Sequence, residues 1–80
     1  MRVRVEITRR ASISDPEGAT VASGLRDLGY DVGEVHMGRV ILLDVPGDDP
    51  DAVRANVDEM CRRLLANPVI EDYAITVEGE

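Results

Sequence analysis

Glu34-Val35-His36-Met37-Gly38-Arg39-Val40-Ile41-Leu42-Leu43-Asp44-Val45 decides the fold. Val35, Met37, Ile41, Leu43 and Val45 share one parity; His36, Val40, Leu42 and Asp44 share the other. The alternation passes through Gly38-Arg39 without slipping, as one strand requires. A two-residue hairpin would more naturally carry Asn-Gly or Asp-Gly there. Residues 34–45 therefore read as one long strand, kinked or bulged at Gly38. The alternative is a hairpin of two short strands, which would make the chain a ferredoxin-like βαββαβ. In the second half of the stretch both parities are apolar. Two helices can cover only one face of a small sheet, so the other face calls for a partner. The alternative to a partner is a parity change at a bulge, with only one face buried.

Working outward, residues 2–8 alternate: Val3, Val5 and Ile7 on one face, Arg2, Arg4, Glu6 and Thr8 on the other. That is a half-buried strand. After a polar connector, Asp15-Pro16-Glu17-Gly18 reads as a helix start, with Asp15 as N-cap and Pro16 where no intrahelical N–H is needed. Val21, Leu25 and Leu28 mark the expected buried stripe, and Gly29 ends the helix. Asp49-Pro50 repeats the capped start. Val53, Val57, Met60 and Leu64, widened by Cys61 and Leu65, form the second stripe, until Asn67-Pro68 stops it. Tyr73, Ile75 and Val77 alternate in a closing strand, and Glu78-Gly79-Glu80 is a short tail. The expectation is an α+β two-layer sandwich, β-α-β-α-β, with a long central strand and two helices on one sheet face, as one domain over residues 1–80.

The totals narrow the function. Eighty residues with no Phe, no Trp and two Tyr must build a core from small aliphatic side chains. Such a core buries little, and oligomerisation is a usual remedy. A single Cys rules out an internal disulfide and makes the cytosol the natural compartment. Met1 to Glu6 show no export signal, and no apolar run approaches the roughly 20 residues of a membrane span. The net charge of −7 argues against nucleic acid, as does the near absence of strand aromatics.

A search for chemistry finds little. His36 is the sole His and has no ligand cluster around it. Cys61 sits on the helix stripe, where a free thiol packs as a small hydrophobe. Asp48, Asp49 and Asp51 lack the spacing of a calcium loop and serve to cap a helix. Gly33, Gly38 and Gly47 stand apart, so no phosphate-cradling loop exists. No catalytic, cofactor or metal residue is expected in this chain. Arg2, Arg4 and Arg10 share a strand face and could meet an anion or a partner's acids.

Leu64-Leu65-Ala66-Asn67-Pro68-Val69-Ile70-Glu71-Asp72-Tyr73 closely resembles the C-terminal signature of the PurS family, the small subunit of phosphoribosylformylglycinamidine (FGAM) synthase. Asp15-Pro16-Glu17-Gly18, Leu28-Gly29-Tyr30, Val35 through Gly38-Arg39, and Met60-Cys61 follow the family pattern in order, with Arg10 and Arg39 where Lys is usual. The resemblance implies a non-catalytic subunit in de novo purine biosynthesis. It would hold a glutaminase and an ATP-dependent synthetase together and assist ammonia transfer as FGAR becomes FGAM. ATP and Mg would sit on the synthetase partner, and the chain itself would be a homo-oligomer, a dimer or a tetramer. Arg2, Arg4, Arg10, Arg39, Glu71 and Asp72 are the candidate partner contacts. A reading from a different class is a regulatory α/β dimer that senses a small molecule at its interface.

Overall fold

The computed structural model describes residues 1–78; the tail residues Gly79 and Glu80 lie outside the described residues. Strand β1 (Arg2–Arg9) alternates as its sequence requires, with Val3, Val5 and Ile7 buried. It is the middle of a three-stranded sheet of order β2-β1-β3. Strand β2 (Gly38–Asp44) runs antiparallel to it, with Thr8 opposite Gly38 and Arg2 opposite Asp44. Strand β3 (Glu71–Val77) is antiparallel on the other side, with Arg9 opposite Glu71 and Val3 opposite Val77.

The element order is β-α-β-α-β, with two helices on one side of the sheet and no hairpin at Gly38-Arg39, so the βαββαβ alternative does not form. The ladder of β2 is shorter than the alternation predicts. Residues 34–37 lie outside it: the β1–β2 pairing ends with Thr8 opposite Gly38, and Arg9, the last residue of β1, pairs with Glu71 of β3. Their backbone turns to a helix instead: the Met37 N–H bonds Asp15 Oδ2 at 2.8 Å.

Helix α1 (Pro16–Asp27) starts as read, with Asp15 Oδ1 accepting the Gly18 N–H at 2.8 Å. It ends in a Schellman motif. Gly29, at φ +96°, donates to Arg26 O at 2.9 Å and Tyr30 donates to Leu25 O at 3.0 Å. Its apolar stripe departs from expectation. Gly18 and Ala22 are buried, Leu25 is half-buried, and Val21 and Leu28 are exposed. The helix packs on the returning segment rather than on the sheet, and only the side carrying Gly18 and Ala22 is covered.

Helix α2 (Pro50–Met60) is capped by Asp49, whose Oδ1 accepts the Asp51 N–H at 3.0 Å. Its Val53 and Val57 lie on the Val3–Val5–Ile7 face. A π-helical turn, Cys61–Leu65, follows, closed by the Ala66 N–H on Cys61 O at 3.0 Å. That wide turn changes the predicted stripe. Cys61 and Ala66 are buried, whereas Met60 and Leu64 point outward. The core is Val3, Val5, Ile7, Val45, Val53, Val57, Cys61, Ala66 and Val77. The opposite sheet face, with Arg4, Glu6, Val40 and Leu42, is uncovered.

The molecule is long: 49 × 26 × 14 Å, with a radius of gyration of 15.9 Å. A compact chain of this length has a radius of gyration of about 12 Å.

Candidate interaction surface

Arg39 is the second residue of β2, on the helix-bearing face. Its guanidinium meets Glu71 in a two-point contact, Nη1 to Oε2 at 2.7 Å and Nη2 to Oε1 at 3.2 Å. The same Nη2 donates to Leu65 O at 2.8 Å, a carbonyl at the end of the π-helical turn. Glu71 Oε1 also accepts the Asn67 N–H at 2.8 Å. The turn is closed further by Val69 N–H on Asn67 Oδ1 at 3.1 Å and Glu71 N–H on Asn67 O at 2.7 Å. The Glu71 side chain is only 12% exposed, against 49% for Arg39. Arg39 above all, and then the Asn67 N–H, hold the Glu71 carboxyl below its ordinary range.

Arg10 lies one residue beyond β1, on the uncovered side. Its Nε is 3.3 Å from Asp72 Oδ1, and its Nη2 donates to Pro68 O. The Arg10 N–H bonds Ile70 O at 2.9 Å, continuing the β1–β3 ladder. Asp72 is 69% exposed. Arg2 stands opposite Asp44 in the ladder, and Arg4 Nη2 is 3.2 Å from Glu6 Oε1. The six predicted residues thus divide. Arg39 and Glu71 form one satisfied unit on the helix side. Arg10 and Asp72 form another on the bare side, with Arg2 and Arg4 further along it.

The sequence missed a charged cleft of about 190 Å³ where the three strands meet α1, lined by Arg9, Asp15, Glu17, Gly38, Arg39 and Glu71. Asp15 reads as a helix cap; its second role, accepting the Met37 N–H, depends on a residue 22 positions away. The N–H groups of Gly18 and Met37, with help from Arg9, hold the Asp15 carboxyl below its ordinary range. Arg does not titrate near neutral pH, and the two lowered carboxyls stay ionised there. The cleft therefore offers fixed charges of both signs, suited to contact rather than to proton transfer.

His36 pairs with its neighbour Glu34, at 3.1 Å, on the surface. Cys61 is fully buried, which pushes its thiol pKa up. Tyr73 donates to Asp58 Oδ1 at 2.6 Å, and that bond raises the phenol's pKa. Among the described residues, no group of three or more His, Cys, Asp or Glu is placed to hold a metal ion. None of the helices among them is long and apolar enough to cross a membrane.

Comparison with known proteins bears on this surface. Residues 2–79 match the family model PurS, phosphoribosylformylglycinamidine (FGAM) synthase. The PurS subunit of phosphoribosylformylglycinamidine synthase from Synechocystis is 43% identical over 75 residues, covering 92% of this chain and 75% of the relative. The structure of Bacillus subtilis PurS in its C2 crystal form superposes with a TM-score of 0.86 at 38% identity, covering 96% of each chain. A chain in the structure of PurLQS from Thermotoga maritima superposes with a TM-score of 0.86 at 29% identity, covering 94% of this chain and 93% of that one. The chain belongs to the PurS family of FGAM synthase subunits.

Proposed function

We propose that this chain is the non-catalytic bridging subunit of an FGAM synthase, acting as one domain in the cytosol. In this reading it self-associates and holds a glutaminase subunit and an ATP-dependent synthetase subunit in register. Ammonia released from glutamine then reaches the synthetase site, where FGAR becomes FGAM. The observation that carries the reading is the likeness, along nearly the whole chain, to the chain in PurLQS from Thermotoga maritima. The charged cleft and the paired surface arginines supply fixed charges for contact with other subunits. Coupling the two sites has a physical purpose, because ammonia that escapes into bulk water is diluted and protonated.

The test is reconstitution. With both partner subunits present, leaving this chain out is expected to abolish glutamine-dependent FGAM formation. Synthesis from added ammonium by the synthetase should persist. Full glutamine-dependent turnover without the chain would overturn the reading.

A further inference from the structure

Strand β3 stands at one edge of the sheet, with β1 on its inner side. The ladder ends with the Arg10 N–H on Ile70 O and the Glu78 N–H on Arg2 O, both at 2.9 Å. In an antiparallel pair the bonded residues alternate. The even-numbered residues of β3 therefore bond β1, and the N–H and C=O groups of Tyr73, Ile75 and Val77 point away from the sheet. The run Tyr73-Ala74-Ile75-Thr76-Val77 has no charge, no Pro and no Gly, and it is rich in strand formers. Between this edge and α2 runs a groove of about 480 Å³, lined by Asp51, Arg54, Ala55, Asp58, Tyr73 and Ile75. An outward row of backbone groups beside a groove that takes side chains is a template for another strand.

The strand that fits it most closely is β3 of a second copy. Placed antiparallel about a twofold axis at Ile75, Ile75 faces Ile75 and Tyr73 faces Val77. All three residues present their backbone groups outward, so each facing pair can exchange two hydrogen bonds. In that register Asp72 faces Glu78, and like charges opposite one another oppose the pairing. Asp72 already shares its charge with Arg10, at 3.3 Å, so this repulsion is small.

The central pair needs Ile75 O, and that oxygen is taken. Arg54 reaches across the groove from α2, and its Nη1 donates to Ile75 O at 3.0 Å. One turn further along α2, Asp58 accepts the Tyr73 hydroxyl at 2.6 Å and lies 2.9 Å from Arg62 Nε. These contacts hold the flank of α2 against the edge and keep Arg54 in place. A second copy docking on the same axis would bring its own guanidinium toward the first, which adds like-charge repulsion to the loss of the carbonyl.

We propose that Arg54 is an edge guard: by occupying Ile75 O it keeps β3 of one copy from pairing with β3 of another. The sheet then cannot grow through β3, whatever contacts the chain makes elsewhere. This goes beyond the proposed function, because it concerns what limits assembly rather than what drives it.

Arg54→Met tests it, since the side chain keeps its stem and loses its donors. Sedimentation velocity should show this variant doubling the parent's mass at concentrations at least tenfold below any at which the parent does so. Hydrogen exchange should show the outward amides of Tyr73, Ile75 and Val77 slowing as the larger species forms. Ala74 and Thr76 are exposed on the uncovered face and face one another in this register. Adding Ala74→Lys and Thr76→Lys to Arg54→Met sets ammonium against ammonium there and should restore the parent's behaviour. An Arg54→Met chain that sediments as the parent does at every concentration would overturn the guard. So would a larger species that leaves the three amides fast, or one that survives the two lysines. Should Arg54→Met fail to fold, Arg54→Gln, whose shorter side chain withdraws the donor, decides by the same measurements and the same outcomes.

Discussion

Arg39 ties three parts of the chain together with one side chain: its own strand, the end of the π-helical turn through Leu65, and the start of β3 through Glu71. The contact depends on a planar fork meeting two carboxylate oxygens, which an ammonium cannot reproduce. Glu71→Gln keeps the shape and removes the charge. It is expected to lower stability by about 1–2 kcal/mol, read as a lower urea midpoint with an unchanged slope. Glu71 and Asp15 both have lowered carboxyl pKa values. Each binds fewer protons folded than unfolded as acid is added, so its contribution is complete above the ordinary carboxylate range. It is lost as pH falls through the lowered folded value. An acid titration should therefore unfold the parent chain at a pH where Glu71→Gln shows a shallower further loss. Equal pH dependence in the two would count against this assignment. Arg39 shows what a sequence hides at this scale. Its charge is legible, but not its pairing with a residue 32 positions away.

At the scale of elements, the two helices follow the same start rule and end differently. Asp-Pro starts both, and the caps appear where the letters place them. Helix α1 stops at Gly29, whereas α2 widens into the π-helical turn that rotates Leu64 out and Ala66 in. Periodicity at 3.6 residues cannot register one wide turn, which is why it places Leu64 rather than Ala66 on the buried stripe. Substitutions separate the two environments. Ile7→Ala, in the core, is expected to cost about 2–5 kcal/mol. In monomeric conditions Leu64→Ala should stay within about 0.5 kcal/mol. Chemical denaturation of dilute protein checks both. Gly18 carries the attachment of α1, so Gly18→Ala forces helix and returning segment apart. It should cost about 1–3 kcal/mol. Hydrogen exchange should show the Met37 amide losing protection before the amides of β1 do; protection unchanged at Met37 would refute the attachment.

At the scale of the molecule, the protein is a small body with an arm. The body has an all-aliphatic and sulfur core, and the sheet has one dressed face and one bare face. The self-association proposed above would cover part of this extended surface, and stability gained that way depends on concentration. The thermal midpoint should therefore rise as protein concentration is raised across the dissociation constant. A midpoint independent of concentration over that range would show that each chain is stable by itself. The net charge of −7 opposes close approach of two copies, so added salt should strengthen the proposed self-association at low ionic strength.

The sequence by itself determined the order β-α-β-α-β, the two Asp-Pro starts, the Gly29 stop and the inward faces of β1 and β3. Each of these follows from local sterics or from a two-residue or 3.6-residue period. It also carried the family likeness, because ordered motifs survive without coordinates. Only the tertiary structure decided that β1 is the middle strand, that β2 begins at Gly38, and that α1 stands off the sheet as an arm. It also decided that Glu71 is enclosed by Arg39 while Asp72 stays open. These turn on which distant groups meet. Strand order, the carbonyl of Val35 against Gly18, and the two-point Arg39–Glu71 contact are long-range pairings, and no local pattern encodes them.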